Sequence, residues 1–387
     1  MKKIIAITGA RSEYDLLFPV YEKLNKHVEI NFSIIITGPH LSPTYGSTYN
    51  EIIKDGFRIS DYCFNLIDSD EKLSRVVSIG NQIPLIAQTL YREKPDLIIV
   101  AGDREDAISV ALTAAYMSIP VAHFFGGDIA KDGNIDNSIR YATSKLASIH
   151  FVTLKQHEDN LIRMGEDQWR IHVVGNPAID RLISEKFINK SQLLKSFNND
   201  FISDLNYAVL IQHSIISEVD KQTEYIEMTL NALLSSNIFT FVNYPNSDPG
   251  SLKIRNVIDE YCIKYPEKFF RFKNLERAKY VNLLRHASFL IGNSSSGLLE
   301  APSLGLPTIN IGKRQLGRVH GNNILFVENN IDQISDAINT CLFNTNFLNQ
   351  VKNGKNPYGE GDSSEKILDI LVNIEINESL IYKNITY

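Results

Sequence analysis

Short apolar runs rich in Ile and Val recur along the chain, and each gives way to Gly, Ser, Thr or Asp and then to a longer amphipathic stretch. The first series is IIAIT (4–8), EINFSIIIT (29–37), DLIIVAG (96–102), IPVAHFF (119–125) and IHFVT (149–153). Continuous apolar runs mark strands buried on both faces. Their alternation with stretches of helical spacing, such as DLLFPVYEKLNK and AISVALTAAYMS, predicts a parallel sheet covered by helices. RIHVVG (170–175) closes this series, and GNPAID is a plausible joint. The pattern then repeats in YAVLIQ (207–212), IFTFVNYP (238–245), KFFRF (268–272), SFLIGN (288–293) and PTINIG (307–312). The expected fold is α/β, with two Rossmann-like domains facing a central cleft. Residues 1–175 form the first domain and 176–365 the second. A C-terminal helix with a fraying tail follows at 366–387.

Composition bounds the function. At roughly 100–200 residues per domain, 387 residues make about two domains. A net charge of −6 with no long basic run argues against nucleic acid as a partner. Cys63, Cys262 and Cys341 are too scattered for a disulfide framework or a Cys-based zinc site. The opening apolar run spans about five residues, short of the ~7–15 of a signal peptide, and nothing approaches the ~20 of a membrane span. A cytoplasmic protein with no membrane partner is expected. The chain lacks GxxxxGK[ST], a GxGxxG after the first strand, HExxH and GxSxG, so no nucleotide cofactor and no metal are expected.

In open parallel sheets ligands bind beyond the carboxyl ends of the strands. Thr8-Gly9-Ala10-Arg11 is either an anion site at a helix start or a capped turn with a solvated Arg11. Gly102-Asp103-Arg104 offers a general base or a capping ion pair. Gly126-Gly127-Asp128 lets backbone approach a ligand, and Asp136 follows eight residues after Asp128. Asp103, Asp128 and Asp136 are the composition of acid–base work, or else caps and turns. In the second half, His213 ends a strand, in a place to donate to a phosphate or protonate a leaving group. Asn293-Ser294-Ser295-Ser296-Gly297 combines hydroxyls with free backbone N–H groups, the strongest phosphate site on physical grounds. Glu300 is placed to accept from a ribose diol. Lys313, Arg314 and Arg318 make a phosphate clamp or a solvated basic turn.

These segments together resemble the UDP-N-acetylglucosamine 2-epimerase family from about residue 3 to about 328. The resemblance rests on TGARSEYDLL (8–17), TGPHLSPTYGSTY (37–49), GDREDA (102–107), GGD with IDNSIRYATSKLASIHF (126–128, 135–151), VVGNPAID (173–180), YPNSDPGS (244–251), GNSSSGLLEAPSLG (292–305) and GKRQLGRVHGNN (312–323). The match is nearest to the hydrolysing branch of sialic- and legionaminic-type nonulosonic acid synthesis. It implies a glycosyltransferase-B-like fold and a nucleoside-diphosphate N-acetylhexosamine as partner. It also implies a homodimer and no cofactor. The implied reaction is elimination of the nucleotide to a 2-acetamidoglucal, then hydration to a manno-configured sugar.

By position, the resemblance makes Asp103, Asp128 and Asp136 acid–base residues and puts His213 at the leaving phosphate. It makes Arg11, Arg104, Asn246, Ser294, Ser295, Glu300, Arg314 and Arg318 nucleotide contacts, with Leu275 where backbone holds the uracil. Two positions depart from the pattern. Phe125 stands ahead of the GG pair where relatives carry an acidic residue, and Ser214 follows the histidine where relatives carry Pro. Both fall on the sugar side, and Phe125 suits an apolar sugar such as a 2,4-diacetamido-2,4,6-trideoxyhexose. The alternatives are a non-hydrolysing epimerase, a glycosyltransferase of the same fold and a non-catalytic sensor.

Overall fold

The computed structural model describes residues 1–69, 71–129, 135–199, 206–245, 250–273 and 275–384. The chain divides into two compact units. One is Met1–Arg181 with Gly361–Tyr387, and the other is Leu182–Glu360. The first unit holds a seven-stranded sheet of β1 (Lys2–Thr8), β2 (Ile30–Thr37), β3 (Ile59–Cys63), β4 (Leu97–Ala101), β5 (Val121–Phe124), β6 (Ile149–Val152) and β7 (Ile171–Val173). The second holds a six-stranded sheet of β8 (Tyr207–Ile211), β9 (Phe239–Asn243), β10 (Phe269–Phe272), β11 (Phe289–Gly292), β12 (Thr308–Ile311) and β13 (Ile324–Val327). Every pairing in both is parallel.

Within β1, Ile4 and Ala6 enter one core and Ile5 and Ile7 another. Both faces of the strand are dry, which is why it reads as an unbroken apolar run. Among the described strands, only β3 and β13 carry no apolar run singled out in the sequence. Both lie at sheet edges. In ISDYC only Cys63 is fully buried, so the apolar signal that marks a central strand is missing.

The strand orders are β3-β2-β1-β4-β5-β6-β7 and β10-β9-β8-β11-β12-β13. In each, the chain winds outward, then crosses back to start the other half. The order reverses between β1 and β4 in the first sheet and between β8 and β11 in the second. Loops on either side of such a reversal diverge and leave a crevice at the strand ends.

The sequence placed the joint near residue 175 and a fraying tail after 366. The structure runs the first unit to Arg181 and returns the C-terminal helix Ser363–Asn373 to it. Asp180, from the VVGNPAID segment, is buried and accepts from Ser363 N at 3.2 Å and Ser364 N at 2.6 Å. It thereby satisfies two of the orphan donors at that helix start. Lys2 Nζ caps the other end, donating to Leu371 O at 2.8 Å and Ile374 O at 2.6 Å. Beyond it the chain does not fray as far as residue 384. Leu380 is buried in the first core, and Arg170 donates to Leu380 O at 2.9 Å and Tyr382 O at 3.1 Å. These partners lie some 200 residues away in sequence, so local composition carried no sign of them.

Candidate active site

At the β1/β4 reversal, the loops that start at Gly9 and Gly102 leave adjacent strands. A Cβ on Gly9 would sit 2.1 Å from Asp106 Oδ2, so only glycine lets that carboxylate in. Asp106 is buried in a polar box. Its Oδ1 accepts from Thr37 Oγ1 at 3.0 Å and Gln82 Nε2 at 2.8 Å. Glu13, in the first turn of the helix Arg11–Lys26, accepts from Gly9 N at 3.4 Å and faces Arg104 Nε at 3.7 Å. Burial pushes Glu13 up to about 8; the Asp106 carboxylate adds to the shift and Arg104 opposes it. Burial also raises Asp106, against hydrogen bonds from Thr37 and Gln82.

Asp103 follows Gly102, whose φ of +75° is in the left-handed region. The Gly102 carbonyl accepts from His123 Nε2 at 2.8 Å. That fixes the tautomer, so Nδ1 accepts from the Ser144 hydroxyl at 3.0 Å. His123 is buried, which lowers its pKa to about 3 and keeps the ring neutral.

Asp103 pairs with Arg140, and Arg140 Nη1 lies 3.7 Å from Asp128 Oδ2. His157 Nε2 meets the other Asp128 oxygen at 3.3 Å. Asp136 opens the helix Asp136–Leu146 one turn before Arg140. Positions i and i+4 share a helix face. The side chain of Arg140 is 10% exposed, yet its Nε and Nη1 make no hydrogen bond. Among the described residues these two nitrogens meet no hydrogen-bond acceptor, and Nη1 has Asp128 as an ion-pair neighbour.

The strand end that leads to Asp128 is strained. Phe125 has a φ of +64°, unusual for a bulky residue and costing roughly 1–3 kcal/mol. Its N–H donates to Phe151 O at 3.0 Å and its ring packs on the first core. The two glycines after it, read from sequence as a ligand approach, are also required by packing. A Cβ at Gly126 would lie 2.9 Å from Ser144 Oγ, and one at Gly127 would lie 2.2 Å from the His157 carbonyl.

In the second unit, Gly292 brings the end of β11 against β8. A Cβ there would meet Ile211 O at 2.1 Å. Asn293 then clamps the β8 loop, accepting from His213 N at 2.7 Å and donating to His213 O at 2.9 Å. The Asn293 carbonyl accepts from Arg314 Nη1 at 3.2 Å and Gln315 Nε2 at 3.0 Å. Arg318 Nη1 donates to Gln315 Oε1 at 2.9 Å. His213, Asn293, Arg314 and Arg318 therefore form one bonded lattice. The helix after Ser294 and Ser295 is a single turn, Ser296–Leu299, so hydroxyls and N–H groups, rather than a long helix dipole, are what this end offers an anion. Glu300 follows. Burial raises its pKa, opposed by the Ser296 hydroxyl and Arg277. Tyr280 Oη lies 3.3 Å from Ser296 Oγ.

The sequence profile of the UDP-N-acetylglucosamine 2-epimerase family matches residues 22–372. The chain belongs to this family. It is 33% identical to the hydrolysing UDP-N,N'-diacetylbacillosamine 2-epimerase of Legionella pneumophila, over 99% of each chain. It is 32% identical to the hydrolysing GDP/UDP-N,N'-diacetylbacillosamine 2-epimerase of Campylobacter jejuni, over 89% of each. In structure it is similar to the UDP-GlcNAc 2-epimerase of Neisseria meningitidis solved with UDP-GlcNAc. The TM-score is 0.77 at 21% identity, covering 96% of this chain and 100% of that one. That likeness shows the shared two-sheet α/β fold.

Within this family member, the structure joins Asp103 and Asp128 through Arg140 and sets Asp136 on the same helix. Arg104 reaches Glu13. Arg11 is exposed and pairs with Asp15 at 3.6 Å and Glu51 at 3.3 Å. Leu275 packs on the core under the β10 end. Asn246 lies outside the described residues. The sequence reading passed over Arg140, Glu13, Asp106 and His157. The first three stand inside the motifs quoted for the family, and a search for every charged residue in those motifs finds them. His157 lies in a plain amphipathic helix, Lys155–Arg163, with no local mark. Among the described residues, no group of three or more His, Cys, Asp or Glu side chains is arranged to hold a metal ion. No helix among them is long and apolar enough to cross a membrane.

Proposed function

We propose that this epimerase is of the hydrolysing kind and acts on a UDP-linked N-acetylhexosamine, with UDP-N,N'-diacetylbacillosamine as the favoured substrate. The observation that carries the reading is the Asp103–Arg140–Asp128–His157 cluster beside a strand-order reversal. It supplies carboxylates for proton transfer and a buried guanidinium that pairs with two of them. The 33% likeness to a hydrolysing diacetylbacillosamine epimerase supports the choice of sugar.

A carboxylate of the first cluster takes the proton from sugar carbon 2. The C–H electrons form the C1–C2 double bond as the C1–O bond breaks, and UDP departs with that electron pair. The charge developing on the leaving diphosphate calls for hydrogen-bond donors, the part proposed for His213, Ser294, Ser295, Arg314 and Arg318. Glu300 accepts from the ribose hydroxyls. A protonated carboxyl on the opposite face then delivers a proton to C2, water adds its oxygen to C1, and the proton this water loses passes to a carboxylate of the cluster. A free manno-configured sugar results.

The same reading makes the protein a homodimer. Leu73, Val76, Val77 and Tyr91 on the helix Lys72–Glu93, and Leu112 and Tyr116 on the helix Glu105–Tyr116, are exposed large apolar residues at helical spacing.

Incubation with UDP-N,N'-diacetylbacillosamine and product analysis by mass spectrometry test the proposal. One free reducing sugar per UDP released supports it. Interconversion of two UDP-sugars without accumulation of UDP points to the non-hydrolysing reaction, and product formed only with an added acceptor points to a glycosyltransferase.

A further inference from the structure

We propose that Lys383, in the C-terminal tail, is a positioning residue for the acid–base cluster, holding the segment from which both Asp103 and Arg140 are oriented. The inference rests on the functional reading above, because it gives the cluster its work.

The helix Asp136–Leu146 carries Asp136 in its first turn and Arg140 in its second. Its last carbonyls have no partner within the helix. Lys383 Nζ lies 3.1 Å from Ser144 O, 3.1 Å from Lys145 O and 2.8 Å from Ala147 O. An ammonium has three donors and suits the negative end of a helix. Lys383 also lies 2.5 Å from Glu166 Oε2. Glu166 is buried, and His150 Nε2 from β6 meets it at 3.0 Å. Arg170 grips the same corner, donating to Ser148 O at 2.8 Å as well as to the tail carbonyls of Leu380 and Tyr382. The tail is thus fastened at several points to residues 144–148.

From that corner, bonded contacts run to the reacting groups. The Ser144 hydroxyl donates to His123 Nδ1, and His123 Nε2 donates to the carbonyl of Gly102, the residue before Asp103. Arg140 lies one turn before Ser144 on the helix and pairs with Asp103. Asp103 and Arg140 are therefore both referenced to the segment that Lys383 holds. Ser144, His123 and His150 are each fully buried, and packed interiors pass on displacement rather than absorb it.

Lys383→Met keeps the apolar stem and removes the ammonium. With UDP-N,N'-diacetylbacillosamine, kcat per folded molecule should fall about ten-fold or more, since small misplacements of reacting groups are costly. KM should stay within about two-fold, because most of the proposed nucleotide contacts, His213, Ser294, Ser295, Glu300, Arg314 and Arg318, belong to the other unit. Lys383→Arg should recover most of the loss. Amide exchange across residues 136–147 should quicken while the helix Glu105–Tyr116 keeps its protection. Should Lys383→Met not fold, Lys383→Gln tests the same loss of charge. A lower melting temperature with unchanged kcat would make the tail a purely structural strap and overturn the proposal; so would unchanged exchange across 136–147. If the unmodified enzyme turns over no sugar nucleotide, the functional reading has failed, and the exchange result still decides whether Lys383 holds the helix.

Discussion

Arg140 is the residue on which the first cluster turns: it is buried and faces Asp103 and Asp128 together. Its role separates chemistry from binding. Asp103→Asn should lower kcat by roughly 10²–10⁴-fold, the usual worth of a general base, with little change in nucleotide affinity. Glu300→Ala should instead weaken UDP binding, read by calorimetry, and leave the cluster untouched. Glu13 predicts a pH effect on stability. Its folded pKa of about 8 is above the ordinary value of 4.5, so the unfolded chain gives up this proton first. The stability it confers is full below pH 4.5 and lost as pH rises to about 8; the raised Asp106 acts in the same direction. His123 and His40 are depressed to about 3 and about 4 from 6.5 and have the opposite sign, but their contribution ends near pH 6.5. Between pH 6.5 and 8 the melting temperature should therefore fall, and Glu13→Gln should flatten that slope. Phe125→Gly, which suits a φ of +64° and removes the ring, should lower turnover of the diacetamido-trideoxy sugar relative to UDP-N-acetylglucosamine. An unchanged ratio would remove Phe125 from substrate choice.

Elements and their ends were unevenly legible in the sequence. Central strands such as β1 and β4 announced themselves, because burial on both faces leaves an unbroken apolar run. The loops that follow them held Asp103, Asp128, His213 and the serines, because a parallel sheet dictates where to look. What stayed hidden were pairings set by the third dimension: Arg140 between two aspartates, Asn293 bracing His213, and Asp180 capping a helix more than 180 residues later. The Gly126–Gly127 pair carried a second meaning, since a close approach to protein and one to ligand need the same residue type. Asp180→Ala removes two bonds from a buried carboxylate to backbone N–H groups. Charge-assisted bonds are worth about 1.5–3 kcal/mol each, so thermal or denaturant unfolding should show a loss of at least about 2 kcal/mol.

At the scale of the whole molecule, two parallel sheets each bring their reactive loops to a strand-order reversal, one carrying carboxylates and the other hydroxyls and cations. The exposed apolar helices of the first unit predict a particle of twice the 43.8 kDa chain mass by light scattering, and Tyr116→Glu with Leu112→Glu should shift it toward the monomer. Elimination followed by hydration leaves an isotopic mark that proton NMR in deuterium oxide with UDP-N,N'-diacetylbacillosamine reads. UDP and a free manno-configured sugar carrying deuterium at carbon 2 are expected. Release of a gluco-configured sugar that keeps its carbon-2 proton would contradict this, because no proton would then have left that carbon.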